Sequence, residues 1–158
     1  MPHGRPALDG IRILDFTRAQ QGPFATMLLC DMGAEVIKVE PPGGEQGRAN
    51  GLGPDGFSSY FEGHNRGKRS ITLDLRVAEA IDIVRRLVPS CDVVVENFRP
   101  GVMEAMGLGY ESLRLLRPDI ILASASAWGR SGPWAERPGY DHVAQALSGV
   151  IYEQGEGP

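Results

Sequence analysis

Residues 11–40 read IRILDFTRAQQGPFATMLLCDMGAEVIKVE, and this stretch decides the fold. Residues 11–16 are apolar and partly β-branched, which is typical of a buried strand, and residues 35–40 predict a second strand. Between them, Gly22-Pro23 predicts the start of a helix and Gly33 predicts its end. Strand, helix and strand in this order predict a βαβ unit with parallel strands and a right-handed crossover.

The rest of the chain continues this alternation. The predicted strands are 70–75, 92–98 and 119–126, and the predicted helices are 77–88, 102–106, 110–116 and 143–147. Residues 41–67 are rich in Gly, Pro, Asn and charge and predict a long loop, in which an aromatic cluster at 57–61 forms a short helix. Residues 149–152 are expected to be extended. The pattern predicts an α/β fold with a Rossmann-like, doubly wound and mainly parallel sheet.

The composition is that of one globular domain. The chain has 158 residues, of which 42% are hydrophobic, and a formal net charge of −4. Its basic residues are scattered, so no nucleic-acid partner is expected. Cys30 and Cys91 lie far apart in apolar runs and are expected to be buried thiols in a reducing compartment. We find neither the apolar core of a signal peptide nor a run long enough to span a bilayer, and we therefore expect no membrane partner and a cytoplasmic location.

The loop after the first strand is one candidate binding site, because ligands of parallel sheets bind at the carboxyl ends of the strands. A dinucleotide needs several glycines there, whereas this loop offers only Gly22, and Pro23 removes an amide donor. Glu40 stands where a ribose-binding acid would stand, but a lone acid is weak support. Gln20 and Gln21 carry amides that suit a polarised carbonyl or a thioester. The alternative is that these glutamines cap the following helix or face solvent.

The loop after the strand at 92–98 is a second candidate site. Asn97 ends that strand with an amide, and Phe98 and Arg99 follow with an aromatic ring and a cation. One interpretation is that Phe98 stacks on an adenine while Arg99 meets a phosphate. The alternative is that Phe98 belongs to the core and Arg99 is a solvated surface charge.

A third group of residues concentrates positive charge around the strand at 70–75. Its members are Arg66, Lys68, Arg69 and Arg76. A phosphorylated ligand would explain this concentration in an otherwise acidic chain. A solvated edge strand would explain it equally, because edge strands carry Lys and Arg that oppose aggregation.

Taken together, these segments resemble the class III CoA-transferase family, whose members include formyl-CoA transferase, carnitine CoA-transferase and α-methylacyl-CoA racemase. The motifs that carry the resemblance occur in the family's order across nearly the whole chain. They are LDGI (8–11), LDFT (14–17), GPFA (22–25), GAEVIKVEP (33–41), NRGKRS (65–70), LDL (73–75), VENFRPG (95–101), GYD (139–141), AQA (144–146) and SG (148–149). The resemblance implies a Rossmann-like large domain and a homodimer of interlinked rings.

The resemblance also implies a binding site for coenzyme A or its acyl thioesters, and no metal. The adenosine end would lie near Leu73, Asn97, Phe98 and Val102, and the phosphates near Arg76 and Arg99. The second substrate would be a small carboxylic acid.

In the family, the transferases use an aspartate nucleophile, which attacks the thioester to give an acyl anhydride and then an aspartyl-CoA thioester. We expect this aspartate beyond Pro158, so Asp141 is not the nucleophile. Residues 1–158 are therefore expected to be the N-terminal, CoA-binding part of the large domain, without the small domain and the C-terminal part. By itself, this part is expected to be inactive. The resemblance gives it only auxiliary catalytic groups, namely Gln20 near the acyl carbonyl and Tyr140 lining the pocket.

Two alternatives to the transferase remain. The racemase branch of the family needs a histidine base where this chain has Tyr140, and a phenol is a poor base at neutral pH. His142 is two positions away and would point elsewhere on a helix. The substitution favours a CoA-transferase over an acyl-CoA racemase or epimerase. The other alternative is a non-catalytic nucleotide-binding module.

Overall fold

The computed structural model describes residues 4–155. The chain divides into two compact units, Met1–Ala125 and Ser126–Pro158. The first unit contains a parallel sheet with its helices, and the second contains two further helices.

The strands and helices alternate in the first unit. Its strands are β1 (Arg12–Asp15), β2 (Glu35–Glu40), β3 (Arg69–Thr72), β4 (Val93–Glu96) and β5 (Ile121–Ser124). Its helices are α1 (Gln21–Asp31), α2 (Ser59–Asn65), α3 (Ala78–Leu87), α4 (Val102–Ala105) and α5 (Tyr110–Leu116). The helices of the second unit are α6 (Asp141–Ser148) and α7 (Val150–Glu153).

The sheet has five strands, all parallel, in the order β3-β2-β1-β4-β5. In register, Ile13 of β1 lies opposite Val36 of β2 on one side and opposite Val93 of β4 on the other. The strand order reverses direction between β1 and β4, which is the point where doubly wound sheets bind their ligands. The predicted fold class is confirmed.

Apolar side chains cover both faces of the sheet. Leu14 and Phe16 join a cluster that includes Val84 of α3, whereas Ile13 joins a second cluster that includes Leu29 of α1. Because successive strand residues point to opposite faces, these two clusters lie on the two sides of β1. Burial on both faces explains why the strands read as continuous apolar runs.

Helix α1 ends as the sequence predicts. Gly33 has a φ of +104°, a left-handed conformation that favours glycine just after a helix. Met27 is buried in this helix, whereas Phe24, Leu28 and Met32 are exposed.

The loop at 41–67 contains the short helix that its aromatic residues predict. A 3-10 turn at Gln46–Ala49 comes first, and α2 follows. The Ser58 hydroxyl accepts a hydrogen bond from the Phe61 backbone N–H at 2.9 Å, so Ser58 caps the start of α2.

In the second unit, the prediction of an extended segment at 149–152 is wrong. Gly149 ends α6 with a φ of +80°, and the chain then enters the single turn of α7. Near the start of this unit, the rings of Trp128 and Trp134 meet edge to face with centroids 5.3 Å apart.

Among the residues that the structure describes, no helix has the length and apolarity that crossing a membrane requires.

Candidate functional site

The candidate site lies at the carboxyl ends of β1 and β4, where the strand order reverses. Two loops meet there. The first is the β1–α1 turn, residues 17–20, and the second is the loop between β4 and α4, residues 97–101. Both are loops that the sequence predicts to hold ligand-binding residues.

Asn97 joins these two loops through the backbone of Arg18. The Arg18 N–H donates to Asn97 Oδ1 at 2.9 Å, and Asn97 Nδ2 donates to the Arg18 carbonyl at 2.8 Å. One side chain therefore satisfies both backbone groups of a residue in the opposite loop. The predicted contact of Asn97 with adenosine stays a prediction, and the structure adds this bridging role.

Arg18 also covers the ring of Phe98. Its guanidinium carbon lies 4.6 Å from the ring centroid, a cation–π contact. Phe98 is half-buried and packs against the same apolar cluster that includes Leu73. Phe98 thus packs against the core and at the same time carries the Arg18 guanidinium over its ring. The sequence reasoning missed Arg18 as a site residue, although it adds a second exposed cation beside Arg99.

The buried charged side chains of Asp15 and Lys38 form hydrogen bonds with the backbone of the β1–α1 turn. The N–H of Thr17 donates to Asp15 Oδ1 at 2.8 Å, and Lys38 Nζ donates to the Thr17 carbonyl at 2.8 Å. All three side chains are buried. Charged partners make these hydrogen bonds stronger than bonds between neutral groups.

Lys68 neutralises Asp15 inside the protein. Its ammonium donates to Asp15 Oδ2 at 3.0 Å, to Asn65 Oδ1 at 2.8 Å and to the Pro23 carbonyl at 2.9 Å. Burial lowers the pKa of Lys68, and the charge of Asp15 counteracts that effect. Lys68, one of the cations of the predicted phosphate cluster, is therefore fully engaged within the fold.

Glu45 reaches the same turn from the loop after β2. Its Oε2 accepts a hydrogen bond from the Ala19 N–H at 3.0 Å and lies 3.9 Å from Lys38 Nζ. Ala19 has a φ of +61°. A left-handed conformation costs a residue with a side chain about 1–2 kcal/mol. The turn therefore stores strain at the residue that immediately precedes Gln20.

Glu40, the acid that stands where a dinucleotide-binding residue would, is occupied within the chain. Arg48 donates to both of its carboxylate oxygens at 2.7 Å, and the Ser70 hydroxyl donates at 2.6 Å. Burial by itself would raise the pKa of Glu40, but the hydrogen bonds from Arg48, Ser70 and the Glu45 N–H outweigh it and lower the pKa to about 2.

Gln20 lies at the N-terminal end of α1 and is exposed. Its side chain makes no capping hydrogen bond, although its backbone carbonyl accepts from the Phe24 N–H at 2.8 Å. Of the two alternatives for Gln20, a side chain that caps the helix is therefore not observed, whereas a side chain that faces solvent is. Gln21, the first residue of α1, is also exposed.

The remaining residues predicted to bind CoA line the same edge of the sheet. Arg99 and Val102 are exposed beside Phe98, while Leu73 and Arg76 follow β3. Strands are spaced by ~4.8 Å, so β3 and β4 lie about 14 Å apart at this edge. Leu73 is largely buried, which leaves little of its side chain for a ligand.

Arg76 is paired with a carboxylate of its own loop. Its Nε and Nη2 donate to the two oxygens of Asp74 at 2.8 and 2.7 Å. A phosphate would have to share or replace this partner. The role of Arg76 in phosphate binding stays a prediction.

The other cations around β3 support the edge-strand interpretation. Arg66 pairs with Asp31, and Arg69 donates to Glu35 at 2.7 Å. Within residues 4–155, β3 is at one end of the strand order. The four cations are therefore partnered within the chain, and Arg69 is the one that lies on the edge strand itself.

Tyr140 belongs to the second unit. It directly precedes α6 and is 75% exposed. Residues 4–155 contain no group of three or more His, Cys, Asp and Glu side chains that could hold a metal ion.

An open cleft lies on the opposite side of the sheet, where the parallel strands begin. This side is called the N-terminal edge below, and the side where the strands end is called the carboxyl edge. Arg12, Glu35, Asp92 and Arg117 contribute charges to its lining. Arg12 pairs with Glu35 at 2.7 Å, and Arg117 pairs with Asp92 at 2.7 Å. This cleft is on the side away from the strand ends where doubly wound sheets bind ligands, so it is not the candidate site.

Comparison with known proteins gives a consistent picture. The family described as CoA-transferase family III matches residues 8–158. A succinate–glutarate CoA-transferase of Agrobacterium fabrum is 44% identical, with 99% of this chain and 41% of that protein aligned. The human succinyl-CoA:glutarate CoA-transferase is 46% identical, with 94% of this chain and 34% of that protein aligned.

Among solved structures, a CAIB/BAIF family protein from Brucella suis superimposes with a TM-score of 0.89 at 43% identity. The superposition covers 96% of this chain and 42% of that chain. The chain thus spans about two fifths or less of the length of the relatives that it matches.

Proposed function

The chain belongs to CoA-transferase family III, and from this membership we propose that it is the acyl-CoA-binding part of an enzyme that transfers CoA from a thioester to a carboxylic acid. The observation that carries the proposal is the β1–α1 turn, which presents the amide of Gln20 at the point of strand reversal on a backbone held by buried charges. An amide donor on a backbone that is held in place suits a carbonyl oxygen that gains negative charge in the transition state.

In the proposed reaction, an aspartate carboxylate attacks the thioester carbonyl. The C–S bond breaks, CoA leaves as a thiolate, and an acyl–aspartyl anhydride remains. The thiolate then attacks the aspartyl carbonyl, the C–O bond of the anhydride breaks, and the donor acid leaves as a carboxylate. The acceptor carboxylate runs these steps in reverse on the aspartyl-CoA thioester, so that CoA leaves on the acceptor. Division into these steps is the advantage of covalent catalysis.

We place the nucleophilic aspartate beyond residue 158, in a longer polypeptide of which this chain is the N-terminal, CoA-binding part. The alignments support a longer polypeptide, because they cover only 41% of the Agrobacterium relative. Reading the coding sequence past residue 158 tests it, and a downstream aspartate in the longer chain is expected. The isolated chain is expected to transfer no CoA, and measurable transfer by it would contradict this placement.

The activity test uses the complete protein with acyl-CoA donors and small dicarboxylic acids. The names of the relatives suggest succinyl-CoA with glutarate or mesaconate, and acetyl-CoA with oxalate. Mass spectrometry of the products should show the acceptor thioester appearing as the donor thioester disappears. Hydrolysis without transfer, for every pair of acids, would refute the proposal.

Gln20→Ala is expected to lower kcat about 100-fold, the usual effect of removing one donor to a developing oxyanion. Gln46→Ala is the matched control, because Gln46 is an exposed glutamine of the 3-10 turn. Equal kcat values for the two variants would contradict a role of Gln20 in the reaction.

The covalent intermediate is tested separately. The complete protein, incubated with acyl-CoA and no acceptor acid, is expected to gain the mass of bound CoA, and hydroxylamine should release it. An unmodified protein that still transfers CoA would exclude the aspartyl-CoA thioester.

The racemase alternative predicts a different product. A racemase would exchange the α-proton of a 2-methylacyl-CoA with deuterated solvent, whereas the transferase leaves it in place. Tyr140 stands where the racemase carries histidine, so no exchange is expected. A non-catalytic module would bind CoA and perform neither reaction.

The proposed CoA site is formed by Leu73, Arg76, Asn97, Phe98, Arg99 and Val102. We add Arg18 to it, because its guanidinium lies over the ring of Phe98. The phosphates of CoA would meet the exposed guanidiniums of Arg18 and Arg99, with charge-assisted hydrogen bonds. Arg99→Ala is expected to weaken CoA binding by at least about 10-fold by calorimetry, since such a bond contributes ~1.5–3 kcal/mol. Arg114→Ala, on the exposed side of α5, is the matched control.

For the complete protein we also propose an interlocked homodimer and a cytoplasmic location, both from the family resemblance and the sequence. Analytical ultracentrifugation should give twice the monomer mass, and a monomer would contradict the dimer. Cell fractionation should recover the protein with the cytoplasmic enzymes.

A further inference from the structure

We propose that Glu45 is a positioning residue, which sets the orientation of Gln20 through the backbone of Ala19. This inference rests on the proposed function, because it assigns Gln20 a part in the reaction. Glu45 itself is buried beneath the turn, with a side chain that is 1% exposed, and touches the turn through its carboxylate.

The contact is made at the strained residue. Glu45 Oε2 accepts the Ala19 N–H at 3.0 Å, and Ala19 has a φ of +61°. Residues with a side chain keep such a conformation only where their surroundings enforce it. Because Ala19 immediately precedes Gln20, a change in its φ would turn the Gln20 side chain away from its present direction.

Glu45 is itself held in place by its neighbours. Its own N–H donates to Glu40 Oε2 at 3.2 Å, and Arg48 holds that carboxylate. On the other side, Lys38 Nζ lies 3.9 Å from Glu45 Oε2 and also donates to the backbone of the turn. The cation thus balances the charge of Glu45 and holds the turn at a second point.

A purely structural role does not explain this carboxylate. Glu45 Oε1 is buried and has no hydrogen-bond partner among residues 4–155. A Cβ atom on Gly47 would lie 2.2 Å from Oε1, so the glycine leaves the space that the carboxylate fills. Burying a carboxylate with one oxygen unpaired is unfavourable, and replacing Glu45 and Lys38 together by apolar side chains of similar volume would serve stability at least as well. The role that remains is to hold the Ala19 N–H.

Asn97 does not duplicate this role. It binds the N–H and the carbonyl of Arg18, one residue earlier in the turn. At Ala19, the backbone of the turn is therefore held from the Glu45 side.

The test uses the complete protein and two substitutions of similar volume. Glu45→Met removes the acceptor, and Glu45→Gln keeps an amide oxygen for the Ala19 N–H. Glu45→Met is expected to lower kcat by about 10-fold to 100-fold, the effect of a small misplacement, with KM for acyl-CoA changed less than about twofold. Glu45→Gln should recover kcat to within about threefold of the wild type. Glu111→Gln, an exposed acid on α5, is the control without effect.

A double-mutant cycle shows whether Glu45 acts through Gln20. In the Gln20→Ala background, Glu45→Met should lower kcat by less than about twofold, because the group that it positions is gone. An equal loss in both backgrounds, or a Glu45→Gln variant as slow as Glu45→Met, would overturn the proposal.

Ala19→Gly removes the backbone strain at this residue, because glycine adopts a positive φ without strain. Glu45→Met in this background is expected to fold and to regain part of the lost kcat. A double variant that stays unfolded, or that regains nothing, gives Glu45 a structural role and refutes its positioning role.

The inference and the proposed function fail separately. A wild-type protein that transfers no CoA refutes the function alone. The crystal structure of Glu45→Met still decides the inference: φ of Ala19 is expected to become negative and Gln20 to move, whereas a φ that stays near +61° overturns it.

Discussion

Ion pairs lie at both the N-terminal and the carboxyl edge of the sheet. They differ in how far they are buried and not in the distance between their charged atoms. At the N-terminal edge, Arg12 and Glu35 approach to 2.7 Å with side chains 38% and 33% exposed. At the carboxyl edge, Lys68 and Asp15 approach to 3.0 Å with side chains 2% and 0% exposed. A pair of a cation and a carboxylate is thus in contact with water at one edge and excluded from water at the other.

This difference separates two uses of charge. An exposed pair contributes only about 0–1 kcal/mol, because water and salt screen it. A buried pair gains little net stability over apolar side chains, but breaking it leaves an uncompensated charge and costs about 3–5 kcal/mol. The buried charges therefore specify one arrangement of the β1–α1 turn, whereas the exposed charges tolerate several.

The largest expected effect comes from breaking the buried pair. Lys68→Met leaves Asp15 in the interior without a cation, and the free energy of unfolding should fall by about 3–5 kcal/mol. Urea denaturation measures this loss. Arg66→Met, which breaks the exposed pair with Asp31, is the control and should lose less than about 1 kcal/mol. Equal losses would contradict the distinction between buried and exposed ion pairs.

An intermediate effect is expected at Glu40, which is buried but has a half-exposed partner, Arg48. The folded-state pKa of Glu40 is about 2, below its ordinary value of 4.5. The stabilisation that this provides is fully present above pH 4.5 and is lost as the pH falls through about 2. Arg48→Met removes the guanidinium, so the pKa of Glu40 should rise. The stabilisation should then be smaller, and its loss should be complete at a higher pH.

The measurement for Arg48→Met is the free energy of unfolding across the acid range. At neutral pH the variant should lose about 1–3 kcal/mol, because a buried acceptor loses its donors. Arg114→Met, in an exposed pair with Glu111, is the control. Parallel pH profiles for wild type and Arg48→Met would contradict the assignment of the lowered pKa.

The smallest effect is expected at the N-terminal edge. Arg12→Met should lower the free energy of unfolding by about 1 kcal/mol or less, and high salt should reduce the difference. The loss from Lys68→Met should keep its size in the same salt, because its charges are buried. A salt-insensitive loss of several kcal/mol for Arg12→Met would show that exposure does not separate the two edges.

Much of the fold follows from local patterns that the sequence displays. The strand predicted at 35–40 is β2 as observed, and the other strands differ from their predictions only at their ends. Buried parallel strands are continuous apolar runs, and such runs are visible without tertiary information. The segment at 149–152 is mispredicted because its helical turn depends on the left-handed conformation of Gly149.

The candidate site is less predictable, since it depends on contacts between distant residues. Gln20 and Asn97 are recognisable as polar residues after apolar strands. The bond between Ala19 and Glu45 joins residues 26 positions apart, and no local pattern reveals it. The available signal was Lys38, a cation in the middle of an apolar strand, which requires a buried partner.

Gly22 is in such close contact with Thr17 that it limits which sequences this fold accepts. A Cβ atom at position 22 would lie 2.4 Å from the Cβ of Thr17, whereas a Cβ on Gly63 meets nothing within 4 Å. In a saturation library selected for function, position 63 should accept many amino acids and position 22 only glycine. Substitution at the start of α1 is therefore restricted by the lack of space for a side chain, although position 22 itself takes no part in the chemistry.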